Sequence, residues 1–465
     1  MKKLLFVFII LFSILMIVLT GCNESTKVSS KNPITLDLWH NYGGQLKETM
    51  DYMIDEFNET IGAEKGIIIN ITSISGSSTL HEKLVMAAND EPGAPSLPDI
   101  TSAYPRTALV LAKKGLLADL NKQFTSEELS KYIPEFIQEG QIQDDGLYVF
   151  PTAKSTEVLF VNTFLFDKFA NDTGVKLEDL QTFEGIIRVA NLYYDWTDRK
   201  TPDIENDGKT FFMADSLFNY SLIGCKQLGG NFIEGNSFNL TSNQYNKIWE
   251  NYFEPAVLGQ VAIFDGYATD LAKTGDIVCS IGSTAGVSFF PTTVTYSDNT
   301  SEPVKLVILP YPIFEGGQKI AIQRGAGMSV IKSTEEKEYA AGIFLKWFTS
   351  PENNIRFISS TGYLPVTKEA FGEIMSKEIN NIPNENVKKL LMTSKQMQKE
   401  YTFYIPPLFD GVDELQKQYE NKLREAATKG KQAYIELLIN NESETAYKAV
   451  SKNMYNDFIN CFPIR

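Results

Sequence analysis

Five aromatic side chains, Trp39, Tyr42, Tyr104, Tyr363 and Tyr404, fall in predicted loops or connecting segments. In such places a flat aromatic face packs on the C–H side of a sugar-like ring, and its phenol or indole edge supplies a hydrogen bond. Core or rim packing is the alternative for each, because aromatics make up 12% of the chain. The polar loop 75–79, with Ser77 at its centre, and the groups Ser155, Thr156, Glu157, Ser283 and Thr284 offer small polar side chains that can meet several ligand hydroxyls closely. Helix capping and turn formation call for the same residue types. Arg324 and Lys154 are cations able to hold a carboxylate or phosphate, with a surface ion pair as the alternative for Arg324. Asp215, just before Ser216, reads as a helix cap, with a ligand-hydroxyl acceptor as the alternative.

Reaction chemistry is poorly represented. Paired carboxylates decide nothing in a chain with 58 acids. Gly325 and Gly327 fit only the first half of a dinucleotide fingerprint, because residue 330 is Val. Gly282 and Gly286 lack the spacing of a nucleophile elbow. Asp203, Glu205, Asp207 and Gly208 begin like a calcium loop, but the twelfth position is Ala214, so a solvated loop is expected. With His40 and His81 the only histidines and the cysteines scattered, no zinc site is expected, nor any catalytic residue, metal or cofactor. A secreted polysaccharide-active enzyme remains the alternative to a binding protein.

The elements that must position these residues follow from periodicity. Ile34, Leu36 and Leu38 alternate with polar neighbours as a strand, and Leu46, Met50, Met53, Ile54 and Phe57 have helical spacing. A β-branched run at 67–71, a helix at 80–88, a short strand at 98–102 and a helix at 107–114 continue the alternation. That order predicts a parallel sheet flanked by helices, with ligands at the carboxyl ends of its strands. Those ends carry Trp39, His40, Tyr42, Ser77 and Tyr104.

Residues 145–162 then hold two apolar runs joined by a Pro151-led polar insert, which reads as a hinge strand leaving one body for another; an internal hairpin is the alternative. Helices are predicted at 183–194, 216–228 and 243–252, and strands at 277–282 and 304–309. Residues 324–331 read as the return crossing, and Ser333 with Glu336 as a capping box. Residues 363–366 form a third crossing, and the remainder is largely helical and amphipathic.

At 465 residues the chain suggests two or three bodies. A net charge of -15 with no basic stripe argues against nucleic acid. Lys2 and Lys3, an apolar run to Leu19, and Gly21 before Cys22 look like a bacterial lipoprotein signal, with the thiol of Cys22 lipidated. Residues 22–32 read as a flexible tether. Cys225, Cys279 and Cys461 permit one disulfide and one free thiol, and spacing does not choose the pair.

This order resembles the extracellular solute-binding proteins of ABC importers, in the branch that binds sugars and related polyols. The carriers are the lipoprotein start, the strand into Trp39 and His40, Pro98 with Asp99 and Ile100, the Pro151 segment ending at Asn162, Gly282 to Gly286, Arg324 to Gly327, and Gly362, Tyr363, Leu364 and Pro365. The resemblance implies an α/β, two-lobe, periplasmic-binding-protein-like fold of type II, with three hinge crossings and the ligand between the lobes. One lobe would comprise 33–150 plus 320–364 and the other 151–319 plus 365–465, after a signal peptide at 1–21. The chain would be a monomer outside a bacterial cytoplasm, held to the cell membrane by lipid on Cys22. It would pass a carbohydrate or polyol derivative to an ABC permease. The candidate aromatics and hydroxyls, with His40, Glu157 and Arg324, would line the cleft. A glycerol-phosphate or other anionic-solute binder of the same fold is the second reading. Residues 401–409 lack the cation expected for that branch, and Arg324 keeps the reading open.

Overall fold

The computed structural model describes residues 28–462. Residues 1–21 and Cys22, read above as signal and lipidation site, lie outside them.

Alternation places Leu36, Leu38 and His40 on the buried face of the strand Ile34–His40. This strand pairs in parallel with Ile67–Ser73 on one side and Ile100–Ala103 on the other. Gly327–Val330 and Phe150–Pro151 complete a five-stranded sheet, and Gly327–Val330 runs antiparallel to Ile100–Ala103. The purely parallel sheet expected from the first three strands is therefore mixed, because the returning chain adds its strand from the opposite direction. The helices Gln45–Phe57, Glu335–Phe348 and Pro351–Ser359 pack together against this sheet. Phe57 meets Phe344 and Trp347 edge-on there, at 5.2 Å each.

Glu157–Asn162 is buried at every residue because it lies inside a second, four-stranded sheet. Leu306–Leu309 and Cys279–Ser283 flank it antiparallel, and Phe212–Ala214 runs parallel to Cys279–Ser283. The helices Leu217–Gln227, Asn243–Val257, Val412–Leu438 and Ser443–Ile459 build the rest of this body around Tyr419. The Tyr419 hydroxyl is 2.6 Å from Ser221 Oγ and 2.9 Å from the Tyr245 hydroxyl, so a large buried ring keeps its polar end satisfied.

Three extended segments connect the bodies side by side. Ser155 exchanges two backbone hydrogen bonds with Arg324 (2.9 and 2.8 Å), and Lys154 exchanges two with Leu364 (3.2 and 2.6 Å). The segment after Pro151 is thus the middle of three straps rather than a hairpin loop.

Several local expectations are corrected. The helix Glu335–Phe348 is capped by Thr334, whose hydroxyl accepts from the Lys337 N–H, and not by a Ser333 and Glu336 box; the Ser333 N–H donates to Glu338 instead. Asp215 leaves capping of its own helix to Ser216 and accepts the Ala268 N–H of a distant one at 2.7 Å. Ile320–Ile322, assigned above to the first body, pairs with Thr402–Tyr404 and packs on Leu217–Gln227, both on the second body's side. Residues just after Leu364, assigned to the second body, stay with the first: the Ile133 N–H donates to Val366 O and the Lys368 N–H to Lys131 O. Local periodicity names a strand but not the sheet edge it will meet. At the near end of the supposed tether, Val28 packs against the core and Ser29 bridges Asn32. Cys225, Cys279 and Cys461 are free thiols, the first two buried.

Candidate functional site: the cleft at the straps

Side chains from both bodies converge where the straps meet. Register fixes Glu157 as the first residue of its strand, opposite Ser283. Its Oε1 accepts from Arg324 Nη1 at 2.8 Å and from Asn219 Nδ2 at 2.7 Å. Burial raises the Glu157 carboxyl pKa, and the guanidinium and the amide pull it back. Asp215 stands over Gly282, where a Cβ would lie 2.4 Å from its Oδ2, so glycine at 282 makes room for the carboxylate. Burial pushes the Asp215 carboxyl up to about 6. Glu420, on the long helix Val412–Leu438, accepts from Ser216 Oγ at 2.6 Å and from the Phe218 N–H at 3.1 Å.

The first body supplies the aromatic side. Tyr42 stacks on His40 and meets Phe357 and Tyr363 edge-on, at 5.3 and 6.5 Å. Burial drives the Tyr363 hydroxyl well above its usual range, Tyr104 and Tyr42 add to this, and Arg324 opposes it, so these four groups share one electrostatic neighbourhood. Ser77 and Tyr104 line one small recess with Asn41, His81, Ser102 and Thr107. There Ser102 Oγ donates to Asn41 Oδ1 at 3.0 Å.

Other candidates are used differently. His40 is fully buried, and its Nδ1 accepts the Tyr42 N–H at 3.0 Å, so it shapes the turn carrying Tyr42. Trp39 packs on Ile74, Leu80 and Leu84. The Thr156 hydroxyl donates to Ile322 O at 2.7 Å, and the Thr284 N–H donates to Thr156 O at 2.9 Å, which ties both to the strap core. The Ser283 hydroxyl accepts the Ala285 N–H. Tyr404 lies under Lys226 Nζ, 5.2 Å from the ring centre. Lys154 is buried, with its ammonium paired to Glu139 and donating to Gly325 O at 3.1 Å, so it is closed to a ligand.

The sequence profile of the bacterial extracellular solute-binding proteins matches residues 52–384. The chain belongs to this family. Among relatives of the solute-binding protein is an arabinooligosaccharide-binding protein of Bacillus subtilis, 23% identical over 386 residues, covering 82% of this chain and 84% of that one. Among solved structures, the cyclic alpha-maltosyl-1,6-maltose binding protein from Arthrobacter globiformis superposes with a TM-score of 0.67 at 16% identity, over 92% of this chain and all of that one. UgpB from Mycobacterium tuberculosis, in complex with glycerophosphocholine, gives 0.65 at 14%, over 92% and 99%. These likenesses establish the two-body, periplasmic-binding-protein-like α/β fold.

In this solute-binding protein the groups near the straps that sequence reasoning did not name are Asn219, Glu420 and Arg424, whose Nη1 is 3.9 Å from Glu420 Oε2; for Asp215 the sequence favours a cap, with a ligand acceptor as the alternative. Asn219 and Glu420 stand on helix faces that periodicity reads as ordinary amphipathic surface. A separate cavity of about 600 Å³ lies between residues 261–264 and the helix Val412–Leu438, lined by Lys209, Asp276 and Lys431 among others. It touches neither the straps nor any predicted site residue, so the cleft is the better candidate for the solute.

Proposed function

We propose that this chain is the extracytoplasmic receptor of an ABC importer, capturing an oligosaccharide or polyol derivative between its two bodies and presenting the closed form to a permease. The observation that supports the reading is the Arg324–Glu157 pair at a three-strap hinge, with Asp215 and Tyr363 in electrostatic reach of Arg324 and Tyr42 edge-on to Tyr363. A cleft between two bodies encloses a small polar ligand on most sides, and bending a few extended residues reopens it. A ligand touching both bodies binds the closed form better and shifts the population towards it. The relatives that bind arabinooligosaccharides and maltose-type saccharides support the carbohydrate class. Lipid attachment at Cys22 and a monomeric state complete the proposal, with Cys22 placed at the end of an export signal.

A thermal-shift screen over neutral mono-, di- and oligosaccharides tests it, because a ligand that binds only the native form raises the melting temperature. At least one saccharide should do so, and Tyr363→Ala should weaken that hit by about tenfold or more. No shift with any saccharide overturns the reading.

A further inference from the structure

A phosphate or carboxylate ligand would need a cation at the straps, and Arg324 is placed for that task, with 37% of its side chain exposed. Its charge is already taken. Nη1 lies 2.8 Å from Glu157 Oε1, and the Glu157 side chain is only 2% exposed. That oxygen also accepts from Asn219 at 2.7 Å. Burial raises the Glu157 pKa, but a guanidinium that does not lose its proton, at 2.8 Å, and the Asn219 N–H on the same oxygen both favour the carboxylate. The pair is neutral as a unit.

Among the described residues, the groups that act on Glu157 besides Arg324 and Asn219 are acidic. Asp215 lies within electrostatic reach of both Glu157 and Arg324. Glu420 acts on Glu157 in the same way. Arg424 is 3.0 Å from Asp265 and 3.9 Å from Glu420, and Lys154 is bound to Glu139. An entering anion therefore meets Asp215, Glu157 and Glu420 with both nearby guanidiniums already engaged. A neutral polyol meets something different, because Arg324 keeps N–H donors beyond the one used on Glu157, and these suit hydroxyl oxygens. The Glu157 carboxylate is held in place by Arg324 Nη1 at 2.8 Å and Asn219 Nδ2 at 2.7 Å, with its side chain only 2% exposed.

We propose that Glu157 sets the charge selectivity of the cleft, admitting uncharged polyhydroxylated ligands and barring phosphorylated or carboxylated ones. This rests on the receptor reading above and adds to it a residue that determines which solutes are taken. It also predicts that Arg324 acts as a donor to hydroxyls, not as an anion clamp.

Titration of the full chain with matched ligands tests the proposal: a neutral oligosaccharide against its uronic-acid counterpart, and glycerol against glycerol 3-phosphate. The wild type should bind neither anion. Glu157→Gln keeps the side chain's shape, leaves Arg324 uncompensated, and should gain affinity for the anions by about tenfold to a hundredfold. The gain should vanish in the Glu157→Gln, Arg324→Gln double variant and at about 0.5 M salt. Wild-type binding of the uronic acid as tight as that of the neutral sugar overturns the proposal, and so does a folded Glu157→Gln protein that gains nothing. If that variant does not fold, the matched pairs on the wild type decide alone. If no neutral saccharide binds, the receptor reading falls, while charge selectivity is still judged by whether glycerol 3-phosphate binds the wild type.

Discussion

Asp215 sits where a charged carboxylate is disfavoured: half-buried over Gly282, within electrostatic reach of Glu157, with the Ala268 N–H as its hydrogen-bond donor. Its pKa is raised from 3.8 to about 6. Between these values the unfolded chain has released this proton and the folded chain still holds it, so the contribution of Asp215 to stability falls as pH rises through the window and is constant above it. Asp215→Asn should remove that part of the pH dependence. Melting temperatures of both proteins from pH 4 to pH 7 should diverge in favour of the variant as pH rises, and parallel curves would contradict the assignment. Glu157 and Arg324 were legible as polar groups in connecting segments. Asp215 was read as a cap for the helix that follows it, because adjacency to Ser216 is visible in the sequence. The room opened by Gly282, on a strand far along the chain, is not.

At the scale of elements, the straps are held by a buried ion pair as well as by backbone pairing. Lys154 and Glu139 keep 3% and 8% of their side-chain surface, and Gln323 Nε2 donates to the same Glu139 oxygen at 2.9 Å. Removing one partner leaves the other charge buried and unpaired, so Lys154→Met should destabilise the protein by about 3 to 5 kcal/mol in urea unfolding. Adding Glu139→Leu should recover much of that loss, since an apolar pair of similar volume replaces a desolvated one. Gly325 shows why the second strap runs so close: its φ is 100°, and a Cβ would lie 2.8 Å from Ala153 O. The sequence announced the straps through Pro151, the glycines near 325 and Gly362. It misjudged where each ended, since residues 320–322 and 366–368 join partners that are distant in the chain and carry no local signal.

For the molecule as a whole, the alternation of strands and helices and the order of crossings made the two-body fold readable, and the family resemblance carried the rest. Contacts across the mouth of the cleft were not readable, because surface charges pair with whatever the fold brings opposite. Arg106 and Lys113, on the helix Pro105–Lys113 of the first body, pair with Asp413 and Asp410 at the start of the long helix of the second. Exposed pairs of this kind contribute about 0 to 1 kcal/mol each and weaken with salt. Asp410→Ala with Asp413→Ala removes both pairs and should therefore move the ligand-free protein towards an open form by up to about thirtyfold in population. Solution scattering should report a larger radius of gyration than for the wild type, with the difference shrinking at high salt. The Lys154 and Ser155 strap is laced on one edge to Leu364 and on the other to Arg324. For the receptor proposed above, such lacing would leave the two halves a single swing axis, with a guest embraced along one arc. The longest chain it could carry would then be set by how wide that arc travels, and length tolerance would be a property of the axle rather than of the walls.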